Sequence, residues 1–466
     1  MTVRTRMAPS PTGEYHIGHI RTLLYNYAWA KNNKGRFILR IEDTDRERLV
    51  EGAVDRILAV IRDYGLSYDE GPRVGGPFAP YYQSERLPIY QKYAKQLVDQ
   101  GLAYYCFCSK ERLEALRKKQ QAEGKLPGYD RHCRNLKPAE VKHKFAANES
   151  YVIRLKIPDG EEISFTDVVM GKIKVNSGSL DDQILLKSDG FPTYHLAVVV
   201  DDHLMEITHI IRGNEWLSST PKHILLYRAF GWEPPTFVHL PVFLDPAGEG
   251  KMSKRRGSVS ARSFLENGYL PEAILNYLML LGWNPGNDRE IFSLEEFTKT
   301  FDLKNLNKAN PRFTFDKLNW FNQQYLRAMD YENLAERLLK FSTYNKGEIV
   351  RVLPLIRDRL ITLKEFDDQA GYFFHPPAVD RKSLSGFKSA DRILEHAASV
   401  LSEKLDGKFL EEKAREYCAS HGLKVGDYFM VLRIAITGRT ATPPLGEIIQ
   451  ILGEAETIKR LKANSY

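Results

Sequence analysis

The sequence has few cysteines and no long hydrophobic run. Its 466 residues include four cysteines, Cys106, Cys108, Cys133 and Cys418. So few thiols in so long a chain argue against a disulfide framework. No apolar stretch approaches the roughly 18 residues that cross a bilayer, and the first residues, M-T-V-R-T-R-M, lack the apolar core of a signal peptide. We therefore expect a cytoplasmic protein that does not enter a membrane.

Two common glycine-rich nucleotide motifs are also missing. The chain contains neither a P-loop nor a G-x-G-x-x-G sequence, so any nucleotide site must be of another type. What the chain does have is 43% hydrophobic residues, enough for two to four domains with cores, and 27% charged residues. Its net charge of +7 weakly favours a polyanionic partner.

Strands and helices alternate at the start of the chain. The pattern predicts a short strand at 3–7, a helix at 17–34 and a buried strand at 37–42. Residues 43–45 are predicted to cap a further helix. This order with short links implies parallel strands and right-handed crossovers.

The alternation of predicted strands and helices stops at about residue 82 and resumes after about residue 188. The returning pattern comprises 191–200, 207–212, a helix at 220–230, and 237–244. Beyond about residue 325 the patterns are nearly all helical. We expect an α/β protein, namely a split doubly wound (Rossmann-like) parallel sheet with an α/β insertion, followed by an all-α C-terminal region.

The stretch P11-T-G-E-Y-H-I-G-H19 lies where the first strand meets the first helix. In a parallel sheet, ligands bind beyond the carboxyl ends of the strands, over helix N-termini. His16 and His19 can therefore face one cavity and donate to a phosphate oxygen, and Gly18 lets a planar base lie close to the backbone. The alternative is a pair of solvent-facing histidines beside a helix cap.

A second motif is the cationic loop G250-K-M-S-K-R-R-G257. Lysines on a mobile loop can close on a triphosphate and neutralise charge as the α-phosphate is attacked. The alternative is a solvated basic turn.

The two motifs, in this order on a split doubly wound fold, resemble those of class I aminoacyl-tRNA synthetases. Further segments are similar to bacterial-type glutamyl-tRNA synthetases, and the resemblance covers the whole chain. These segments are R6-M-A-P-S-P-T-G13, R40-I-E-D-T-D45, L186-K-S-D-G-F-P-T-Y-H195, V200-D-D-H203 through I211-R-G-N-E-W216, and T220-P-K-H-I-L-L-Y-R-A-F-G-W232.

The resemblance implies five parts of the chain. They are the two halves of a catalytic domain at 1–81 and 189–246, an acceptor-end-binding insertion at 82–188, a stem-contact domain carrying the lysine loop at 247–325, and a helical anticodon-binding region at 326–466.

The resemblance also implies a reaction. L-glutamate would be joined to tRNA(Glu) through a glutamyl-adenylate by a monomer that uses ATP with Mg²⁺ and releases AMP and diphosphate. The implied catalytic residues are His16, His19 and Lys254. The implied ATP-binding residues are His16, Gly18, His19, Lys251, Ser253, Lys254 and Arg255.

The family's amino-acid site falls on residues whose chemistry suits a dicarboxylic substrate. They are Arg6, Ala8, Ser10, Glu42, Tyr194 and Arg212, with Trp216 as a wall of the pocket. A guanidinium can hold a carboxylate bidentately, and Glu42 can take the ammonium group. We favour Arg6 with Tyr194 for the side-chain carboxylate. Taken singly, each residue could instead be a surface ion pair, a helix cap or a core aromatic.

The sequence is compatible with more than one anticodon specificity. Arg359, in R359-L-I-T-L-K-E-F366, matches a family segment that approaches the third anticodon base, although it could also lie on a solvated helix. The close alternative is a non-discriminating enzyme that also charges tRNA(Gln) with glutamate. A tRNA-binding protein without activity is disfavoured because both motifs are intact.

Some relatives bind structural zinc with C-x-C and a later C-x-H. This chain has Cys106 and Cys108, but Cys133 is followed by Asn135 in place of the histidine. Asparagine is a poor zinc ligand, and the adjacent His132 would strain the geometry. We therefore favour buried free thiols over a zinc site and assign no metal ligands.

Overall fold

A computed structural model of the chain describes residues 2–244, 260–379 and 381–465, with only the backbone of Arg381. The chain divides into two compact units. The first comprises Met1–Ser263 with Leu275–Thr314, and the second Phe264–Ile274 with Phe315–Tyr466. The loop residues Lys251, Ser253, Lys254 and Arg255 lie outside the described residues. The five-part division stays a prediction.

The first part of the chain contains all the named strands. Its elements are β1 (Arg4–Met7), α1 (Ile17–Asn32), β2 (Arg36–Leu39), α2 (Ala53–Asp63), α3 (Leu87–Asp99), β3 (Ala103–Cys106), α4 (Lys110–Ala122), α5 (Pro138–Ala146), β4 (Val152–Leu155), β5 (Glu162–Asp167), β6 (Gly171–Asn176), β7 (Ile184–Leu186), α6 (Tyr194–Leu204), β8 (His209–Gly213), α7 (Thr220–Phe230), β9 (Thr236–Leu240), α8 (Ala261–Glu266), α9 (Pro271–Leu280) and α10 (Leu294–Thr300).

The main sheet has the order β2-β1-β8-β9-β5-β6. Every neighbouring pair is parallel except the hairpin of β5 and β6. Arg6 pairs with Ile38, and Arg212 pairs with His239. The carboxyl ends of β1 and β8 therefore bring both predicted pocket arginines to one edge of the sheet, which confirms the predicted fold class.

The stretch from 82 to 188 supplies strands to two sheets. Strands β3, β4 and β7 form an antiparallel sheet of their own. Strand β5 instead joins the main sheet beside β9 and carries β6 with it. The end of β5 at Asp167 consequently lies next to the core of the main sheet.

One segment of the returning pattern is helical, and one local prediction was wrong. Residues 194–200 of the apolar run at 191–200 form the first part of α6, whose residues from Leu196 to Asp202 are all buried. A helix buried on all sides has no apolar stripe, so its sequence resembles that of a buried strand. Residues 43–45 do not cap α2, since Gly52 precedes that helix, and the Asp43 carboxylate instead accepts bonds from the backbone and side chain of Ser84.

The second part of the chain is all helical in the described residues, as predicted. Its helices are α11 (Phe315–Ala328), α12 (Tyr331–Leu338), α13 (Lys346–Ile356), α14 (Phe366–Ala370), α15 (Arg381–Ser385), α16 (Ala390–Glu403), α17 (Gly407–His421), α18 (Val425–Thr437), α19 (Leu445–Leu452) and α20 (Glu454–Asn464). Buried leucines, isoleucines and valines from these helices form one core. Within the described part of the chain, no helix combines the length and apolarity that a membrane span requires.

Candidate active site

A cavity of about 1710 Å³ lies at the carboxyl ends of β1 and β8. Its lining includes every predicted site residue of the first 244 positions: Arg6, Ala8, Ser10, His16, Gly18, His19, Glu42, Tyr194, Arg212 and Trp216. Residues that are far apart in sequence therefore meet around one space large enough for more than one substrate.

The two histidines cap the N-terminus of α1. His16 Nδ1 accepts a hydrogen bond from the Gly18 backbone N–H at 2.9 Å, and His19 Nδ1 accepts one from the His16 backbone N–H at 3.3 Å. A Cβ at position 18 would lie 3.2 Å from His16 Nδ1, so glycine gives the cap its room. Because each Nδ1 is an acceptor, a neutral ring carries its proton on Nε2. The cap and the predicted phosphate role are thus compatible, since Nε2–H can donate.

Arg212 is buried and held by neutral groups. It donates to the Tyr194 hydroxyl at 2.9 Å, to Thr220 Oγ1 at 2.8 Å and to His239 Nε2 at 3.0 Å. Among the residues that the structure describes, no carboxylate oxygen lies within salt-bridge distance of this guanidinium. The positive charge of Arg212 is therefore oriented without being neutralised.

Arg6 is held differently, by a buried network of ions. Its Nε lies 3.1 Å from Asp202 Oδ1. The same carboxylate oxygen forms a second ion pair with Arg40 Nη1 at 2.8 Å. Arg40 in turn contacts Glu42 at 3.1 Å. Burial alone would raise the pKa of Asp202, but Arg6 and Arg40 together hold it below its ordinary value. Burial raises the pKa of Glu42, and the same two arginines oppose that effect.

Tyr194 and Trp216 form an aromatic wall. Their ring centroids are 4.4 Å apart, and Trp216 remains 39% exposed. The Tyr194 hydroxyl accepts its bond from Arg212 and not from Arg6. We therefore associate Tyr194 with Arg212, while the arginine that meets each carboxylate of glutamate stays a prediction.

Several residues of the site could not be found by motif. Asp202 and Arg40 support Arg6, while His239 and Thr220 support Arg212. Arg40, Asp202 and Thr220 stand inside segments that resemble the family, but nothing in those segments shows that they support the arginines. A further signal was polarity in apolar surroundings: Asp201 and Asp202 end the run L196-A-V-V-V200, and His239 interrupts F237-V-H-L240. Buried charges are retained only with partners, so such positions indicate a network without identifying its members.

Three cysteines lie together beside the same cavity. The Sγ atoms of Cys106, Cys108 and Cys133 are all within 4.8 Å of one another and could hold a metal ion. The Tyr129 hydroxyl lies 3.2 Å from Cys106 Sγ and 3.6 Å from Cys108 Sγ. Hydrogen bonds from Cys133 and then Tyr129 lower the pKa of Cys106 to about 4, against the effect of burial. Tyr129, which no sequence motif marked, has its hydroxyl oxygen close enough to two of these thiols to be a fourth donor.

Arg359 lies in the second unit, at a short helical turn after α13. It donates to the Thr442 carbonyl at 2.7 Å, and Arg433 donates to the same carbonyl at 3.2 Å. The guanidinium is thereby fixed in place on this surface. Its contact with an anticodon base stays a prediction.

Comparison with known proteins agrees with both units. Residues 2–320 match the family of class I tRNA synthetases (E and Q), catalytic domain. Residues 333–464 match the anticodon binding domain family. The split parallel sheet, the histidine-capped helix and the helical region therefore define a class I aminoacyl-tRNA synthetase.

The full-length relatives specify the branch of that class. The chain is 42% identical to the glutamate–tRNA ligase of Finegoldia magna over 98% of each chain, and 43% identical to that of Treponema denticola over 99% of each. It superposes with a TM-score of 0.91 on the crystal structure of a glutamate tRNA ligase from Elizabethkingia meningosepticum in complex with its amino acid, at 37% identity over 100% of this chain and 99% of that one. The chain belongs to the glutamate–tRNA ligases, which are ATP-using enzymes.

Proposed function

We propose that the protein ligates L-glutamate to tRNA(Glu) in two steps. An oxygen of the glutamate α-carboxylate attacks the α-phosphorus of ATP, and diphosphate leaves. The terminal adenosine hydroxyl of the tRNA then attacks the carbonyl carbon of the glutamyl-adenylate, and AMP leaves. No protein nucleophile is required, so positioning and charge stabilisation supply the catalysis. The observation that carries the proposal is that Arg6, Arg212, Glu42 and the histidine pair line one and the same cavity.

The chain's own residues would take distinct roles. The oriented charge of Arg212 beside the Tyr194 hydroxyl suits the side-chain carboxylate of glutamate. Glu42, kept near two arginines, would take the ammonium group. His16 and His19 would donate from Nε2 to phosphate oxygens, with Gly18 beside the adenine.

The remaining ATP contacts belong to residues outside the described part of the chain. Lys254, with Lys251, Ser253 and Arg255, would hold the triphosphate, and Mg²⁺ would accompany ATP. The stretch 82–188 would bind the acceptor end, and Arg359 would contact the anticodon. We also propose a cytoplasmic monomer, on the grounds already given from the sequence and from family resemblance.

A charging assay tests this proposal. Purified protein with ATP, Mg²⁺ and radiolabelled glutamate should aminoacylate tRNA(Glu) and leave tRNA(Gln) uncharged. Radiolabelled glutamine serves as the control substrate and should not be attached to either tRNA. Charging of both tRNAs with glutamate would show a non-discriminating enzyme, and absence of charging on both would refute the proposed activity.

We also propose that the cysteine cluster takes up one Zn²⁺ in a structural role. The fit rests on three thiols within 4.8 Å and the Tyr129 hydroxyl beside two of them, which gives four donor atoms for a tetrahedral ion. When bound, zinc would join the strand carrying Cys106 to the loop carrying Cys133. It would supply no group to the reaction.

Metal analysis by mass spectrometry should find about one zinc per chain. Cys108→Ser should lose it, and Tyr129→Phe should bind it more weakly. Cys418→Ala, which removes a buried thiol of the second unit, is the matched control and should keep it. Metal-free protein whose three clustered thiols all react with a thiol reagent would instead support the free-thiol prediction.

A further inference from the structure

A buried histidine stands between Arg212 and an aspartate. His239 Nδ1 lies 2.7 Å from Asp167 Oδ2, and its Nε2 accepts from Arg212 Nε at 3.0 Å. The parallel register places His239 directly opposite Arg212 on neighbouring strands, and Asp167 ends the next strand, β5. The side chains of Asp167 and His239 are fully buried. Neither residue lines the cavity, so each can act on a substrate only through Arg212.

The hydrogen-bonding partners fix which nitrogen carries the proton. The Asp167 carboxylate can only accept, so His239 donates from Nδ1. His239 Nε2 then has a lone pair, which receives the Arg212 N–H. Thr220 fits this arrangement, because its oxygen accepts from Arg212 and its hydroxyl can donate to the Trp216 carbonyl or to His239 Nε2, each 3.2 Å away. Burial lowers the pKa of His239, which supports a neutral ring.

The backbone in turn fixes Asp167. Its Oδ1 accepts from the backbone N–H groups of Val169 at 3.0 Å and Met170 at 2.8 Å, and its Oδ2 from that of His239 at 3.1 Å. The carboxylate is therefore held by groups of the hairpin and of β9. The orientation of the Asp167 side chain is transmitted through the imidazole to the guanidinium.

The interposed ring has an electrostatic consequence. A carboxylate in direct contact would neutralise Arg212, as Asp202 does for Arg6. A neutral imidazole orients the guanidinium equally well but keeps the Asp167 charge one ring further away. His223, whose pKa burial and then Arg212 lower well below its ordinary value, lies 3.4 Å from the other side of Arg212 and adds no opposing charge.

We infer that Asp167 and His239 are positioning residues for glutamate recognition: they fix the plane of the Arg212 guanidinium and leave its charge available to a substrate carboxylate. This inference rests on the proposed function, in which Arg212 binds glutamate. It assigns a specificity role to a strand of the 82–188 stretch, outside the residues that line the cavity.

Asp167→Asn tests the proton arrangement. The asparagine Oδ1 can still accept from Val169 and Met170, but its amide would donate to His239 Nδ1 and force the proton onto Nε2. An N–H would then face the Arg212 N–H. We expect the glutamate KM in the charging assay to rise roughly 10- to 100-fold, because a buried donor loses its acceptor. The ATP KM and kcat should change less.

The double variant separates positioning from mere structure. In His239→Gln the amide oxygen can still accept from Arg212, so we expect a smaller rise in glutamate KM. In a His239→Ala background, which has no ring to pass on the orientation of residue 167, Asp167→Asn should raise the glutamate KM little further. Asp99→Asn, at an exposed carboxylate paired with Lys95 on α3, is the control, and melting temperatures check folding.

Two outcomes would overturn the inference. One is an unchanged glutamate KM in Asp167→Asn while the parent protein charges tRNA(Glu). The other is an Asp167→Asn effect that is undiminished in the His239→Ala background, which would mean that Asp167 only holds the hairpin. Failure of the parent protein to attach glutamate would instead count against the proposed function itself.

Discussion

Replacing Arg212 with alanine is expected to lower kcat/KM for glutamate roughly 10²- to 10⁴-fold. The change removes two charge-assisted hydrogen bonds to a carboxylate, each contributing about 1.5–3 kcal/mol, and 1.36 kcal/mol corresponds to a factor of ten. No carboxylate among the described residues lies within salt-bridge distance of the charge that this change removes. Steady-state charging of tRNA(Glu) at varied glutamate measures the effect.

Two further variants test whether the effect comes from the charge and the shape of the Arg212 guanidinium. Arg212→Lys keeps the charge but loses the planar fork, so its activity should fall between those of the parent and the alanine variant. In the proposed site, Arg212 beside the Tyr194 hydroxyl binds the side-chain carboxylate, which glutamine lacks. Arg212→Ala should therefore also reduce the preference for glutamate over glutamine. Arg6→Ala should raise the glutamate requirement as well, through loss of a second cation at the cavity. An Arg212→Ala enzyme with normal glutamate dependence would remove this residue from the pocket.

Local sequence patterns predicted the scaffold well. The strand expected at 3–7 is Arg4–Met7, and the helix expected at 17–34 is Ile17–Asn32. Both depend on the spacing of apolar residues and on the glycine that follows the helix, which are short-range features. The rule that ligands bind at carboxyl ends of parallel strands then brings Arg6 and Arg212 together without any knowledge of tertiary contacts.

Sequence patterns could not supply the partners of those arginines. Asp202 lies 196 residues from Arg6, and His239 lies 27 residues from Arg212 on a different strand. A pattern within one element carries no information about which residue of another element will face it. The partner of the Tyr194 hydroxyl depends on the same tertiary geometry, so the sequence could not show that this hydroxyl bonds to Arg212.

The buried network around Asp202 leads to a second large effect, on stability. Asp202→Ala leaves Arg6 and Arg40 buried with one carboxylate fewer, and both guanidinium groups currently bond to it. Removing one member of a buried ion network costs about 3–5 kcal/mol, because the remaining charges lose their compensation without regaining water. We expect a clear drop in the urea midpoint of the first unit and in its melting temperature, followed by fluorescence of the tryptophans that it contains.

A surface pair provides the matched comparison. Asp55 and Arg73 form an ion pair whose side chains are 72% and 66% exposed, and Asp55→Ala should cost about 0–1 kcal/mol. Asp202→Asn should lie between the two alanine variants, since an amide oxygen still accepts from one arginine but carries no charge. Equal stability of Asp202→Ala and Asp55→Ala would mean that water or a rearranged Glu42 already compensates the arginines. In that case Arg6 would be held in the cavity by packing and not by charge, and its role in binding glutamate would have to be argued without Asp202.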